Sequence, residues 1–178
     1  MRLESFALAA TTAIVAAPVA TADPGDWYAT GGYAWLGGDF GTNSYDVNAV
    51  VLRGGYEWTN NLGVEVEAGV GVEDQIIRGA GDPPIENRIG LNQYFGAFGV
   101  GRVQTTEFSD FFVRAGVVQY EVESEVSRFT FTEDDIGVAG SAGVDLHFGQ
   151  RHGLRLSASI YSLEETVEAF ELAYKYRF

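Results

Sequence analysis

The last nine residues of the chain carry the pattern that most constrains its fold. Apolar residues occupy one set of alternate positions: Phe170, Leu172, Tyr174, Tyr176 and Phe178. Charged or small residues occupy the other set, from Glu171 to Arg177. A β-strand sends successive side chains to opposite faces, whereas a helix would mix the two sets around its circumference. The stretch therefore predicts a strand, and either face could be the buried one, since a soluble barrel turns its apolar face inward and a membrane barrel turns it toward lipid.

The first 22 residues have the anatomy of a secretory signal peptide. Arg2 precedes an apolar, alanine-rich run from Phe6 to Ala17, and a small-x-small site ends at Ala22. The run is too short to span a bilayer as a helix. We predict cleavage after Ala22 and a single exported domain over residues 23–178.

Composition limits what this domain can be. The chain has no cysteine, so an exported domain must be stabilised by a packed core or a closed barrel rather than by disulfides. Its net charge of −14 argues against nucleic acid as a partner, because phosphate binding requires a basic surface. No run in residues 23–178 reaches the 18 consecutive apolar residues of a transmembrane helix.

Alternation and turn signals predict eight strands, each about as long as a tilted transmembrane strand. The predicted strands cover residues 27–37, 47–58, 62–72, 88–103, 111–121, 136–148, 154–163 and 170–178. Three of the predicted connections are short (59–61, 104–110 and 150–153), and three are longer and partly acidic (38–46, 74–87 and 122–133). The connection 164–169, after the seventh strand, is also short and departs from this alternation. The facing of the first and fourth strands is not assigned by the pattern, and residues 94–98 could hold a β-bulge. Short turns on one side and longer loops on the other are typical of an all-β, eight-stranded antiparallel up-and-down transmembrane β-barrel.

Charged residues recur on one face of these strands and alternate there with glycine, serine and alanine. They are predicted to form a charge network in the lumen: Arg53, Glu57, Glu65, Glu67, Arg114, Asp145, Arg155, Glu171, Lys175 and Arg177. An eight-stranded barrel is just wide enough to be filled by such side chains. Aromatic residues next to the short turns predict an interfacial girdle: Trp58, Phe111, Phe148 and Phe178. These features favour a membrane barrel over a soluble periplasmic, lipocalin-like binder with an apolar cavity, which remains an alternative.

The signal peptide, the alternating strands and the terminal Tyr-Lys-Tyr-Arg-Phe resemble the small outer-membrane β-barrel proteins of Gram-negative bacteria, the OmpA/OmpX-type superfamily. The resemblance covers residues 23–178. It implies an assembly signal, read by the barrel-assembly machinery, at Phe170, Tyr174, Tyr176 and Phe178.

Catalysis and metal binding are not predicted. Only His147 and His152 could serve as a base, and although Asp145, Ser157 and Ser159 lie nearby in the sequence, no catalytic motif is matched. Two histidines without cysteine also make a metal site unlikely on chemical grounds. No cofactor is expected.

The expected protein is a monomer of the cell outer membrane with both termini in the periplasm. It contacts outer-membrane lipid and lipopolysaccharide, and its role is structural, surface-interacting or envelope-stabilising. A small pore of low conductance is the alternative function.

Overall fold

The computed structural model describes residues 25–40, 43–72, 75–78, 86–126, 129–162 and 166–178, and within these ranges it contains nine β-strands. The strands are β1 (Asp26–Phe40), β2 (Asn43–Glu57), β3 (Leu62–Gly71), β4 (Gln75–Arg78), β5 (Glu86–Thr106), β6 (Ser109–Val126), β7 (Phe129–His147), β8 (His152–Ser162) and β9 (Thr166–Arg177). The predicted signal peptide, residues 1–22, lies outside the described residues.

Eight of these strands close into one antiparallel barrel. Consecutive barrel strands pair with each other; β3 pairs with β5 because β4 is not part of the ring, and β9 closes the ring by pairing with β1. The short β4 lies beside β5 and continues the line of β3. The predicted fold class, an eight-stranded up-and-down barrel, is confirmed.

The stagger of the strands fixes the width of the barrel. Paired residues can be followed once around it: Tyr28, Gly55, Glu65, Phe98, Gly116, Ala139, Tyr161, Val167 and Gly38. The path returns to β1 ten residues beyond its start. Eight strands with this stagger tilt by about 40° and enclose a lumen that side chains can fill.

Strand alternation places the apolar face outside. On β3, Val66 is 63% exposed, whereas the next residue, Glu67, is 3% exposed. The same reversal of the usual soluble arrangement runs along β8 and β9. The outer surface is suited to lipid, and the soluble, lipocalin-like alternative does not fit this structure.

The structure assigns the facing of the two strands that the sequence left open. On β1, Tyr28 is buried in the lumen and Trp27 points outward. On β5, Phe98 is buried and Phe95 points outward. Register irregularities do occur in β5, but they lie between Leu91 and Gln93 and between Gln104 and Thr106 rather than within residues 94–98.

The two ends of the barrel differ. One end, here called the turn end, holds the tight connections 58–61, 107–108 and 148–151, together with Gly25 and Phe178. At the other, the loop end, the predicted loops 38–46 and 122–133 are largely strand: β1 and β2 pair as far as Phe40 and Asn43, and β6 and β7 pair as far as Val126 and Phe129. The predicted turn 104–110 shortens to residues 107–108. Hydrogen bonding between neighbouring strands continues where the sequence pattern had lost its alternation.

Outward-facing aromatic residues lie toward both ends. Near the turn end they include Trp27, Trp58, Phe108, Phe111, Phe148 and Phe178. Toward the loop end they include Trp35 and Phe170, which are direct partners across β1 and β9, and Phe95. Such belts mark the two interfaces of a membrane barrel. In the described ranges, no helix has the length and apolar character needed to span a membrane.

Closure of the ring can be tested by cysteine cross-linking, because the native chain has no cysteine. Tyr33 and Leu172 are partners across β1 and β9 and lie on the outer face. We expect the Tyr33→Cys/Leu172→Cys variant to form an intramolecular disulfide on mild oxidation, since paired strand residues lie within disulfide range. Gel mobility before and after reduction measures it.

The matched control is Tyr33→Cys with Glu168→Cys, four residues along β9 from the partner of Tyr33 and therefore about 13 Å away. Efficient cross-linking of the control, or none in the paired variant, would contradict the register.

Candidate functional site in the barrel lumen

The structure brings the charged residues of the strands together inside the barrel. Of the ten residues proposed from sequence, nine are at most 5% exposed, and Arg177 lies half-buried at the turn end. They come from β2, β3, β6, β7, β8 and β9, so their side chains meet only because the ring closes.

Glu65 on β3 occupies the centre of the network. Its carboxylate accepts hydrogen bonds from Arg155 Nη1 at 2.5 Å, Arg114 Nη1 at 3.3 Å and the hydroxyl of Tyr28 at 2.6 Å. The donors lie on β8, β6 and β1. One carboxylate thus ties four strands together across the lumen.

Asp145 on β7 is a second centre, nearer the turn end. Arg155 donates two hydrogen bonds to its carboxylate, from Nε at 2.7 Å and from Nη2 at 3.0 Å. Lys175 Nζ donates to it at 2.7 Å, and Arg102 Nη2 lies 3.4 Å away. These cationic neighbours offset part of the cost of burying a carboxylate, which would be high for an unpaired charge.

A third group of ion pairs lies further from the turn end. Arg53 on β2 donates to Glu67 on β3 and, with both Nη atoms, to Glu171 on β9. Arg114 also donates to Glu67. These contacts bridge β2, β3, β6 and β9.

Arg102 and Asp110, together with Tyr28, were not identified from the sequence. Arg102 pairs with Glu57, and Asp110 accepts from Arg177 at 3.3 Å and lies 2.7 Å from His147 Nε2. Arg102 is on β5, whose facing the pattern did not assign, and Asp110 fell in a predicted turn. The one available signal was the even spacing of Asp110 with Phe112 and Arg114, which puts all three on one face of a strand.

Aromatic rings separate the cations of the network. The ring of Tyr28 has Lys175 Nζ at 4.3 Å, Arg102 at 5.3 Å and Arg155 at 5.7 Å from its centre. Arg155 also lies over Phe112 and Arg114 over Phe98. The Tyr28 ring fits because its strand partner is Gly55, where an added Cβ would come 2.1 Å from the ring. Each such contact stabilises a desolvated cation.

The charges in the lumen balance. Among the described side chains, six cations take part in the network: Arg53, Arg102, Arg114, Arg155, Lys175 and Arg177. Six carboxylates face them: Glu57, Glu65, Glu67, Asp110, Asp145 and Glu171. The chain's excess negative charge therefore lies outside this network.

An apolar layer lies between the network and the loop end. Its buried members are Ala34, Ala49, Val51, Tyr94, Phe98, Val118, Ala139, Tyr161, Val167 and Ala169. Along β2 and along β9, the inward residues change from charged to apolar in the direction of the loop end. The rings of Tyr94 on β5 and Tyr161 on β8 meet edge to face across the lumen, with centroids 6.1 Å apart. The lumen is thus filled by a charged layer and an apolar layer stacked along its axis.

The two histidines lie on different faces of the barrel. His147 faces the lumen rim at the turn end and contacts Asp110, whereas His152 lies on the outer surface with Nδ1 against the Tyr174 hydroxyl. Ser157 and Ser159 are buried on β8, deeper in the lumen than either histidine. In the described part of the chain, no group of His, Cys, Asp or Glu is arranged to hold a metal ion.

The aromatic residues of β9 lie on its outer face. Phe170, Tyr174 and Phe178 are exposed to the surroundings of the barrel, and Tyr176 packs edge to face on Phe178. β9 itself is hydrogen-bonded on both sides, to β8 and β1.

A closed barrel with an apolar outside and a charged, filled inside is the architecture of an outer-membrane protein. The family model described as "Outer membrane protein beta-barrel domain" matches residues 6–178. The chain belongs to this family. The match confirms the family resemblance inferred from sequence and places the chain among the barrel proteins of the outer membrane.

Solved structures share the fold at low sequence identity. Ail of Yersinia pestis, in complex with the heparin analogue sucrose octasulfate, has a TM-score of 0.66 and 16% identity, covering 88% of this chain and 100% of that one. OprG of Pseudomonas aeruginosa has a TM-score of 0.63 and 12% sequence identity, and the match covers 87% of this chain and 96% of OprG. Neisserial surface protein A has a TM-score of 0.62 and 14% sequence identity, and the match covers 85% of this chain and 95% of that protein's chain. No curated protein sequence matches this chain.

The network makes Glu65 critical for stability. Glu65→Gln removes one of the two carboxylates that face Arg155 and one of the two that face Arg114, so the buried network is left with one uncompensated positive charge. We expect a loss of about 3–5 kcal/mol in the free energy of unfolding. Urea unfolding of the refolded protein in lipid vesicles, followed by tryptophan fluorescence, measures this loss.

Glu107→Gln, in the exposed turn between β5 and β6, is the control and should change stability by no more than about 0.5 kcal/mol. Equal midpoints for the two variants would show that Glu65 does not hold the network together.

Proposed function

We propose that this protein is a sealed, non-enzymatic barrel that anchors a strand-built projection at the surface of the outer membrane, with a structural or surface-interacting role. The observation that carries the proposal is the filling of the lumen by two layers of different chemistry. A barrel built for transport would keep a continuous polar path, and this arrangement interrupts one.

Two independent barriers oppose ion flow. An ion entering from the turn end would have to separate buried ion pairs, such as those of Asp145 and Arg155. Beyond them it would meet apolar side chains and the facing rings of Tyr94 and Tyr161, which occupy the lumen and replace most of the water an ion needs. These two barriers favour a closed barrel over the small pore.

The asymmetry of the two ends supports an orientation with the turn end, and with it both chain termini, in the periplasm. Short turns face the periplasm in barrels of this kind, whereas the long connections face outward. β5, β6 and β7, of 21, 18 and 19 residues, exceed the length needed to cross the bilayer and continue past the outward aromatic residues at the loop end. They form the proposed surface projection.

The charge of the loop-end segments limits the partner. Residues 38–46, 73–92, 120–135 and 163–168 together contain 15 Asp or Glu and three Lys or Arg. The Ail structure holds a heparin analogue, which is a polyanion. A polyanion would be repelled by the surface of the present chain. A basic partner, or lipopolysaccharide phosphates bridged by divalent cations, fits its charge better.

The last strand, β9, is the part of the barrel that the proposal connects with assembly in the membrane. The outward aromatic residues of β9 are proposed as the signal for the barrel-assembly machinery, because β9 closes the ring and presents them along one face. The closed ring leaves no strand edge unpaired within the bilayer, which is consistent with a monomer.

Conductance in planar bilayers tests the sealed lumen. We expect no steady open channel from the native protein. In Tyr94→Ala/Tyr161→Ala, the loss of both rings from the apolar layer should produce brief openings. The outward-facing neighbours provide a matched control, Phe95→Ala/Ile160→Ala. This variant removes similar side-chain volume from the lipid-facing side and should show no channel current. A large steady current from the native protein would refute the sealed barrel.

Labelling of intact cells tests the orientation. A single cysteine at Thr130, near the loop-end limit of β7, should react with a membrane-impermeant maleimide. A cysteine at Glu107, in a turn-end connection, should react only after the cells are opened. The opposite pattern would place the turn end outside.

A further inference from the structure

The outer surface near the turn end carries a histidine amid aromatic rings. His152, the first residue of β8, is exposed on the lipid-facing side of the strand. Phe148 stacks parallel to it at 6.5 Å, Tyr174 lies at 6.0 Å, and Tyr176 meets it edge to face at 5.4 Å. Of the outward-facing strand residues whose side chains are described, it is the one that can carry a positive charge.

The two ring nitrogens of His152 have different surroundings. Nδ1 is paired with the hydroxyl of Tyr174, whereas Nε2 has no partner within the described residues. When the Tyr174 hydroxyl donates to Nδ1, the neutral ring carries its proton on Nε2, and a protonated ring also carries one there. With the Tyr174 hydroxyl as donor to Nδ1, the ring thus presents an Nε2–H donor to the membrane interface.

Arg151, the residue before His152, adds a full positive charge to this edge of the barrel. It is exposed in the turn between β7 and β8, and its carbonyl accepts a hydrogen bond from the backbone N–H of Arg177 at 2.8 Å, which ties the turn to β9. The guanidinium of Arg151 does not take part in the described ion pairs, unlike the arginines of the lumen. A guanidinium next to an imidazole donor is suited to a phosphate group.

We propose that Arg151 and His152 form a binding site for the phosphate of a phospholipid headgroup, with Phe148, Tyr174 and Tyr176 packing against the upper part of its acyl chains. Aromatic side chains prefer this depth of the bilayer on their own account. The paired Nδ1, the unpartnered Nε2 and the adjacent arginine distinguish a headgroup site from a plain aromatic girdle. The proposal rests on the barrel lying in a bilayer and not on its orientation or on the sealed lumen.

Native mass spectrometry of the folded full chain in detergent tests the site. The probes are phosphatidylglycerol and a diacylglycerol with the same acyl chains, which lacks the phosphate. We expect one phosphatidylglycerol to be retained per barrel in preference to the diacylglycerol. Arg151→Gln/His152→Phe, which keeps an aromatic ring at position 152, should lower this retention about tenfold. Ser162→Phe, which adds a ring at the other end of β8, should leave it unchanged.

Each remaining result overturns the site. Equal retention of the two lipids would show that the cluster is an aromatic girdle without a phosphate site. Full retention of phosphatidylglycerol by the folded double variant would show the same. Displacement of phosphatidylglycerol by an equal concentration of inorganic phosphate would indicate a free-anion site instead of a lipid site. Heat-dependent gel mobility checks that the variants are folded, and Arg151→Met alone, which removes the charge and every donor of that side chain, provides the same readout if the double variant does not fold.

Discussion

The pairing of buried charges across the lumen is the interaction on which the rest of the structure depends. Lipid surrounds the barrel, so the hydrophobic effect does not drive side chains into its interior as it does in a soluble protein. The interior must instead be held by directed contacts. Glu65 and Asp145 supply them, because each accepts hydrogen bonds from basic side chains on different strands. Loss of one partner would leave a charge buried without compensation, which costs several kcal/mol.

Barrel geometry makes this pairing possible. Eight strands staggered by ten residues leave a lumen narrow enough for an arginine on one strand to reach a carboxylate on the far side. Glycines on neighbouring strands make room for the larger rings. Gly55 accommodates Tyr28, and Gly69, the strand partner of Tyr94, would place an added Cβ 2.1 Å from that ring. The high glycine content therefore has a packing role as well as a role in turns.

The stacking of a charged layer and an apolar layer connects the fold to its proposed role. The charged layer fixes the register of the strands, since each ion pair forms at one alignment only. The apolar layer excludes water from the lumen on the loop side of these pairs and so strengthens them. In the proposed sealed barrel, the same two layers that stabilise the structure also close the lumen, which couples stability to impermeability. The outer surface remains available for lipid, and the loop end for partners.

The sequence alone determined the strand number, the membrane-facing alternation and most of the charged lumen, because each depends on the period of two within a single strand. It did not determine the facing of β1 and β5, where aromatic residues and glycine occur on both faces and the alternation is lost. It also missed Arg102 and Asp110. Where strands lengthen at the loop end, pairing with a neighbour decides the structure, and pairing is not encoded in any one segment.

Only the closed ring decided which charges meet. Arg53 and Glu171 are separated by 118 residues, and no local pattern relates them. They become neighbours because β9 pairs with β1, and β1 with β2, at one register. Sequence fixes which face of a strand a residue occupies, whereas stagger and closure fix which residues face each other across the lumen. The physical reason is that alternation is a local property of the backbone, and stagger is a property of the whole ring.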